Sequence, residues 1–172
     1  PDYHKAHFYL GRIHFDNKSF VDAAQEFEEA SRDTEFRVKA LAYKGRSLFE
    51  MTDYENAILV LERAKMLANE DLNINLFVKY YLSLTYEKAR RLDDAIVLWE
   101  SIMKMRSDYM DVAEKLDSYA DLRLNDRLKD YMTVDDNKFE SICRAAIGAL
   151  GLSVMELYKK SSDNIEILAM ET

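Results

Sequence analysis

The sequence predicts a mostly α-helical fold: a short solenoid of three helix pairs with a capping helix, followed by a small α+β segment. Three observations support this prediction. Small residues recur with a period of 34 residues, apolar residues within each period are spaced three and four apart, and the 172-residue chain holds only 4 Gly and 1 Pro. So few turn-forming residues exclude collagen-like and turn-rich all-β classes.

The period is set by small residues that recur along the chain. Gly11 and Gly45 are 34 residues apart, and so are Ala23 and Ala57. A third copy is aligned on Ala95, which follows Ala57 by 38 residues, so the third copy is preceded by a short insertion. An internal repeat of this length is typical of helical solenoids, in which each repeat is one helix pair.

Each copy predicts two packed helices. In the stretches 20–27 and 57–64 apolar residues recur at three- and four-residue intervals, as on one face of a helix. Small residues are expected where the first helix of a pair crosses the second, because a large side chain would hold the backbones apart. By this spacing the crossing residues are Gly11, Gly45 and Ser83. The copies cover about residues 2–35, 36–69 and 74–107 within a repeat unit at 1–107.

The repeated motif resembles the tetratricopeptide repeat (TPR), in which Leu-Gly-x-x-Tyr is followed by Ala-x-x-x-Phe and then by Ala. Copy one matches it with Leu10-Gly11-x-x-His14, Ala23-x-x-x-Phe27 and Ala30. Copies two and three match it with Lys44-Gly45-x-x-Leu48, Ala57-x-x-x-Leu61 and Ala64, and with Leu82-Ser83-x-x-Tyr86, Ala95-x-x-x-Trp99 and Ile102. The Pro that ends the family's repeat is replaced by Glu35, Asn69 and Ser107. The resemblance implies a TPR α-solenoid.

The stretch after the repeats predicts a capping helix. Residues 108–124 form an amphipathic pattern that would cover the apolar stacking face of the last repeat, and a linker helix follows within 108–130.

The tail, residues 131–172, predicts a small α+β segment. Apolar spacing indicates a helix over 138–150, and alternating residues indicate two strands at 153–159 and 165–170 that form a β-hairpin. Because an isolated hairpin is marginally stable in water, we expect this segment to be the start of a truncated domain.

The tail also resembles the opening of restriction-endonuclease-like domains of the Mrr type. The matching stretches are Phe139-Glu140, Leu150-Gly151-Leu152 and the strand at 164–169. The resemblance implies that Glu166 stands where the family carries a metal-binding Asp. Glu140 and Glu166 alone cannot hold and use Mg²⁺, so no catalysis is expected of this chain, and a decayed structural domain is an alternative interpretation.

Composition excludes several classes of protein. The net charge of −8, from 24 Lys+Arg against 32 Asp+Glu, argues against sequence-independent binding of nucleic acid. One Cys excludes an intrachain disulfide framework. No stretch has the roughly 20 apolar residues of a membrane helix, so no membrane insertion is expected. The chain begins Pro-Asp-Tyr, as a piece of a longer protein would, which leaves cytoplasm, weakly favoured, and periplasm both open.

Isolated candidate site residues favour structural roles. His4, His7 and His14 share one side of the first predicted helix, which would suit a metal, but His7 and His14 occupy packing positions of the repeat. Cys143 lies on the apolar face of the tail helix without a nearby histidine. We therefore expect no metal and no cofactor.

The TPR resemblance implies a partner-binding groove lined by first-helix residues. Basic groups beside exposed aromatics there would suit an acidic segment of another protein with apolar anchors. By repeat register the groove residues are Lys5, Phe8, Arg12, Phe15, Lys39, Arg46, Phe49, Phe77, Tyr80 and Leu84, with Ala42 and Glu87 at equivalent positions. The same residues could instead pack on other parts of a longer protein.

The sequence thus favours a non-enzymatic protein–protein interaction scaffold. One alternative is an accessory part of a nuclease-like, nucleic-acid-processing protein, which rests on the tail alone. A weaker alternative is a component of a bacterial cell-envelope or flagellar assembly.

Overall fold

The computed structural model describes residues 3–68, 71–120, 136–161 and 164–171. The chain divides into two units, residues 1–119 and 120–172. The division falls within the stretch that the sequence assigns to the capping and linker helices.

The first unit consists of helices packed in sequence order. Each helix packs on the next along the chain, and α3 also contacts α5. The helices are α1 (Tyr3–Asp16), α2 (Phe20–Ala30), α3 (Arg37–Glu50), α4 (Tyr54–Leu67), α5 (Leu72–Lys88), α6 (Leu92–Met105) and α7 (Val112–Ser118). The predicted fold class, three helix pairs followed by a capping helix, is confirmed.

The helices of each pair approach closely at a residue without a bulky side chain. A Cβ added to Gly11 would lie 2.8 Å from the Phe27 ring, and one added to Gly45 would lie 2.4 Å from Leu61 Cγ. Both distances are too short for real Cβ contacts, so a larger residue at either position would force the facing side chain to move. In the third pair the position belongs to Ser83, which is fully buried.

The turn inside each pair has the same backbone geometry. Lys18, Thr52 and Arg90 have φ of 61°, 60° and 59°, in the left-handed region. Around Thr52 the amide donates to Phe49 O at 2.9 Å and the next amide donates to Leu48 O at 3.0 Å, which is a Schellman motif. Glycine usually fills this position, and here three L-residues fill it.

Capping differs among the helices. Asp53 accepts a hydrogen bond from the amide of Asn56, and Asp71 accepts from the amides of Asn73 and Ile74. The helices α2 and α6 begin without a side-chain cap, because Ser19 and Arg91 make no such bond. Packing, rather than capping, therefore fixes where those two helices begin.

Packing between repeats runs from a second helix to the next first helix. The Tyr43 ring stacks on Phe27, with centroids 5.4 Å apart. Lys44 Nζ donates to Glu28 at 2.7 Å, and this hydrogen bond holds the pKa of the Glu28 carboxyl below its usual range. One repeat later, Tyr86 Oη donates to Glu62 at 2.5 Å. Side-chain hydrogen bonds thus connect the repeats at both junctions, from the first to the second and from the second to the third.

The capping helix α7 begins at Val112 rather than at residue 108. Residues 107–111 form a turn in which Met110 has a positive φ of 49°, so the helix cannot start earlier. Val112 is fully buried, and the Tyr119 ring stacks on Trp99 at 5.5 Å. These contacts place the segment against the last repeat, the position predicted for a capping helix. The linker helix predicted to follow, up to residue 130, lies outside the described residues.

The second unit contains one helix and a hairpin. The helix α8 (Asp136–Ala149) is followed by β1 (Leu152–Ser161) and β2 (Asn164–Glu171), which pair antiparallel. Gly151, with φ of 75°, makes the turn from the helix into β1, and α8 packs on β1. Across the described residues, no helix is long and apolar enough to cross a membrane.

We predict that Gly45→Ala lowers the free energy of unfolding by about 1–3 kcal/mol, because the added methyl group overpacks against Leu61. Leu61→Ala alone should cost about 2–5 kcal/mol through the cavity that it leaves. The double variant should cost less than the sum of the two changes, since the smaller side chain makes room for the new methyl group. Urea unfolding followed by circular dichroism measures all three, and additive losses would contradict the close crossing.

We predict that Thr52→Gly raises the free energy of unfolding by about 0.5–1 kcal/mol, because a β-branched residue is strained at positive φ and glycine is not. Thr34→Gly is the matched control, since Thr34 lies in a turn without positive φ. That control should leave stability unchanged or reduce it. A stability gain at both threonines would attribute the effect to something other than the turn geometry.

Candidate functional site

Two arginines on the first helices are clamped against aromatic rings. Arg12 of α1 lies over the Tyr43 ring of α3, with its guanidinium carbon 4.9 Å from the centroid. Arg46 of α3 lies between two rings, 4.4 Å from the Phe15 centroid and 4.9 Å from the Tyr81 centroid. We call Arg12, Phe15, Tyr43, Arg46 and Tyr81 the arginine–aromatic cluster. Each arginine bridges one repeat to the next.

The guanidinium groups of this cluster keep unused hydrogen-bonding capacity. Nε of Arg12 and of Arg46 is buried, and within the described part of the chain neither has an acceptor. Glu50 Oε1 approaches Arg46 Nε only to 4.0 Å, which is an ion-pair distance and not a hydrogen bond. Both arginine side chains are half-buried. The cluster therefore presents positive charge that is held in place by ring contacts.

Aromatic contacts extend this cluster toward the third repeat. The Phe77 ring lies 5.1 Å from Tyr43 and 4.7 Å from Tyr81. Tyr80 contacts Tyr81 at 5.5 Å and Tyr109 at 5.8 Å. Burial raises the pKa of Tyr81, so its hydroxyl is neutral at physiological pH. The rings form a continuous path from the second repeat to the segment before α7.

The predicted groove residues differ widely in exposure. Lys5 and Lys39 are exposed, and Phe49 and Leu84 are half-buried. Phe49 packs its ring 6.2 Å from Tyr81. These residues are thus accessible in whole or in part.

Phe8 and Phe15 are buried where the sequence predicts exposed anchors, with 7% and 8% of their surface accessible. Phe8 packs against Phe27, Phe36 and Tyr43, with centroids 5.6 to 5.8 Å apart. The reason is that Phe36, just before α3, and Tyr43 of α3 reach Phe8, so these rings fill the space between repeats. Ala42, at an equivalent position in α3, is fully buried as well.

Two further groove residues hold the capping segment. Tyr80 Oη donates to Asp111 Oδ1 at 2.7 Å, and burial together with this hydrogen bond raises the pKa of Tyr80. Glu87 accepts hydrogen bonds from Lys115 Nζ at 2.7 Å and from Tyr119 Oη at 2.8 Å. These polar groups of the third repeat are therefore already engaged in hydrogen bonds to the capping segment.

Tyr43 and Tyr81 are members of the cluster that the sequence does not single out as site residues. Together with Tyr9 they recur at the same spacings of 34 and 38 residues as the small residues of the repeat. This recurrence is the feature of the sequence from which the two tyrosines could have been identified as site residues. It marks a shared position on the first helices, and the structure brings two of the three onto arginine side chains.

The remaining candidates form no reactive site among the described residues. His4 Nδ1 lies 2.9 Å from Glu29 O, and His7 Nδ1 lies 2.5 Å from Glu26 Oε2, so both tie α1 to α2. No group of three metal-binding side chains occurs in the described ranges. Cys143 is half-buried with a free thiol.

The residues behind the endonuclease resemblance show no metal-binding arrangement in the described part of the tail. Glu140 pairs with Arg144 one turn away on α8, at 2.8 Å. The side chain of Glu166 lies outside the described residues, and only its backbone position in β2 is described. The predicted resemblance to Mrr-type domains has no support from the fold.

Comparisons with known proteins identify the fold. No family model and no curated protein matches the chain. Among solved structures, the crystal structure of MamA superposes with a TM-score of 0.63 at 20% sequence identity, covering 85% of this chain and 82% of MamA. At this identity the likeness concerns the fold alone. Together with the helix pairs, it establishes that the chain has a TPR-like helical solenoid fold.

Proposed function

We propose that this chain is a non-enzymatic scaffold module that holds an acidic segment of another protein against the arginine–aromatic cluster. One observation carries the proposal: ring contacts fix Arg12 and Arg46 between repeats, while both side chains stay only half-buried. A guanidinium that is already held in position can form charge-assisted hydrogen bonds with an incoming carboxylate through its accessible part.

The chemistry of the cluster suits a carboxylate. Guanidinium groups bind carboxylates through paired hydrogen bonds, and stacking on a ring limits the side-chain freedom lost on binding. The exposed Lys5 and Lys39 add positive charge on the same first helices. Half-buried Phe49 and Phe77 offer apolar contacts beside that charge. Acidic residues with neighbouring apolar anchors are thus the partner chemistry that fits.

The fold supports a scaffold role, because TPR-like solenoids present extended surfaces rather than closed catalytic pockets. The nuclease-accessory and cell-envelope alternatives draw no support from the described residues or from the comparisons. We therefore propose neither.

We predict that Arg12→Glu with Arg46→Glu weakens binding of an acidic probe by about 30-fold or more, since a charge-assisted hydrogen bond contributes about 1.5–3 kcal/mol. The probe is a fluorescein-labelled peptide of alternating Glu and Phe residues, and the measurement is fluorescence anisotropy. Binding to the parent protein should weaken as NaCl is added, because the pairing is electrostatic.

The matched control for this experiment is Arg32→Glu with Arg63→Glu. It makes the same change in net charge at two exposed arginines, Arg32 in the turn after α2 and Arg63 on α4. Arg12→Gln with Arg46→Gln removes the positive charges without placing carboxylates over the rings, in case the reversed charges unfold the repeats. Equal weakening by the surface control, or undiminished binding by both cluster variants with native circular dichroism, would refute this site.

A further inference from the structure

The first two repeats carry an acidic residue at the same position, the last residue of the first helix. Asp16 ends α1 and Glu50 ends α3, 34 residues later. Each follows the arginine of its own helix by four residues, so Arg12 is matched with Asp16 and Arg46 with Glu50. Residues four apart are neighbours on the surface of a helix. Each arginine of the arginine–aromatic cluster therefore has a carboxylate one turn away.

The acidic residue occurs only in the repeats that carry the arginine. The third repeat has Leu84 at the register of the two arginines and Lys88 at the register of the two acidic residues. An acidic residue at the end of the first helix is therefore not a general requirement of the repeat. It accompanies the arginine–aromatic cluster.

Glu50 comes close to its arginine, whereas Asp16 does not. Glu50 Oε1 lies 4.0 Å from Arg46 Nε. Asp16, whose side chain is shorter, is exposed and forms no ion pair with Arg12 in the described part of the chain. Glu50 also acts on the ring beside Arg46: burial raises the pKa of Tyr81, the Arg46 charge lowers it and the Glu50 charge raises it. The Glu50 carboxylate thus shares the surroundings of the Arg46 guanidinium.

Helix stability does not account for the carboxylate of Glu50. It stands at the C-terminal end of α3, where the helix dipole favours positive charge, and no basic residue occupies that last turn. An acidic residue that follows its basic partner by four positions is also in the less favourable order. Both effects predict that α3 is at least as stable without this charge.

Glu50 is not needed to hold Arg46 in place. The Phe15 and Tyr81 centroids lie 4.4 Å and 4.9 Å from the Arg46 guanidinium carbon. The 4.0 Å separation from Glu50 is longer than a hydrogen bond, and exposed ion pairs of this kind contribute little to stability. The effect of Glu50 on this site is therefore electrostatic: it adds negative charge beside Arg46.

We infer that Glu50 determines the specificity of the acidic-segment site, by favouring segments that present a carboxylate to Arg12 and an uncharged acceptor, such as an amide oxygen, to Arg46. The inference rests on the proposed function. A carboxylate bound by the accessible part of Arg46 would lie beside that of Glu50, and like charges repel each other. Arg12 has no ion-pair partner in the described ranges, so a carboxylate there meets less repulsion.

The test compares two fluorescein-labelled probes by fluorescence anisotropy. One is the peptide of alternating Glu and Phe residues, and the other is the same peptide with every second Glu replaced by Gln. Both are titrated with the full chain and with its Glu50→Gln and Asp16→Asn variants. Asp16→Asn is the matched control, because it makes the same change in net charge at the same register, away from an ion pair with arginine.

We expect Glu50→Gln to strengthen binding of the all-Glu peptide about two- to fivefold, the range of exposed charge pairs. The half-Gln peptide should gain less, because it can present an amide to Arg46. Asp16→Asn should change either affinity by less than about 1.5-fold, since charges at a distance are screened. Urea unfolding should show that Glu50→Gln is as stable as the parent protein or more stable.

Three results would overturn the inference and leave the proposed function in place, if Arg12→Glu with Arg46→Glu still weakens binding. These are unchanged or weaker binding by folded Glu50→Gln, an equal gain for both peptides, and an equal gain from Asp16→Asn. Weaker binding together with reduced stability would assign Glu50 a structural role instead. Absence of binding to the parent protein, or binding that the double arginine variant retains, would refute the site itself and the inference with it.

Discussion

The whole solenoid depends on how closely the two helices of each pair can approach. A Cβ at residue 45 would lie 2.4 Å from the side chain of Leu61, so any larger residue here would force that side chain to move or the helices to separate. Residue 11 imposes the same constraint against Phe27. The crossing brings each second helix against the next first helix, where Tyr43 stacks on Phe27. Tyr43 of the arginine–aromatic cluster thus packs directly on the ring that Gly11 accommodates.

The sequence predicts the parts of the fold that repeat. Glycine and alanine recur at 34 residues because each pair needs the same close contact, and this period is readable without a structure. Depth of burial is not readable in this way. Phe8 and Phe15 share a register with half-buried Tyr80 and Phe49 but are themselves buried, because packing between repeats decides which rings are covered. The left-handed turn at Thr52 escapes prediction because its residue type is unusual for that geometry.

Three consecutive residues of α1 have three different surroundings. Gly11 faces α2, Arg12 lies over Tyr43 of the next repeat, and Ile13 faces outward. Successive side chains on a helix are rotated by about 100°, so one helix presents three separate surfaces. Internal packing and the proposed acidic-segment site therefore need not compete for the same side chains.

The single tryptophan gives the molecule an optical reporter of one end. Trp99 is fully buried, stacks on Tyr119 and has the Lys115 ammonium 5.4 Å from its ring. Its fluorescence therefore reports on the third repeat and the capping segment, whereas far-ultraviolet dichroism averages over all the helices. Repeats that contact mainly their neighbours can unfold stepwise. The difference between the two signals measures how far unfolding at the capped end is coupled to unfolding at the end that carries α1.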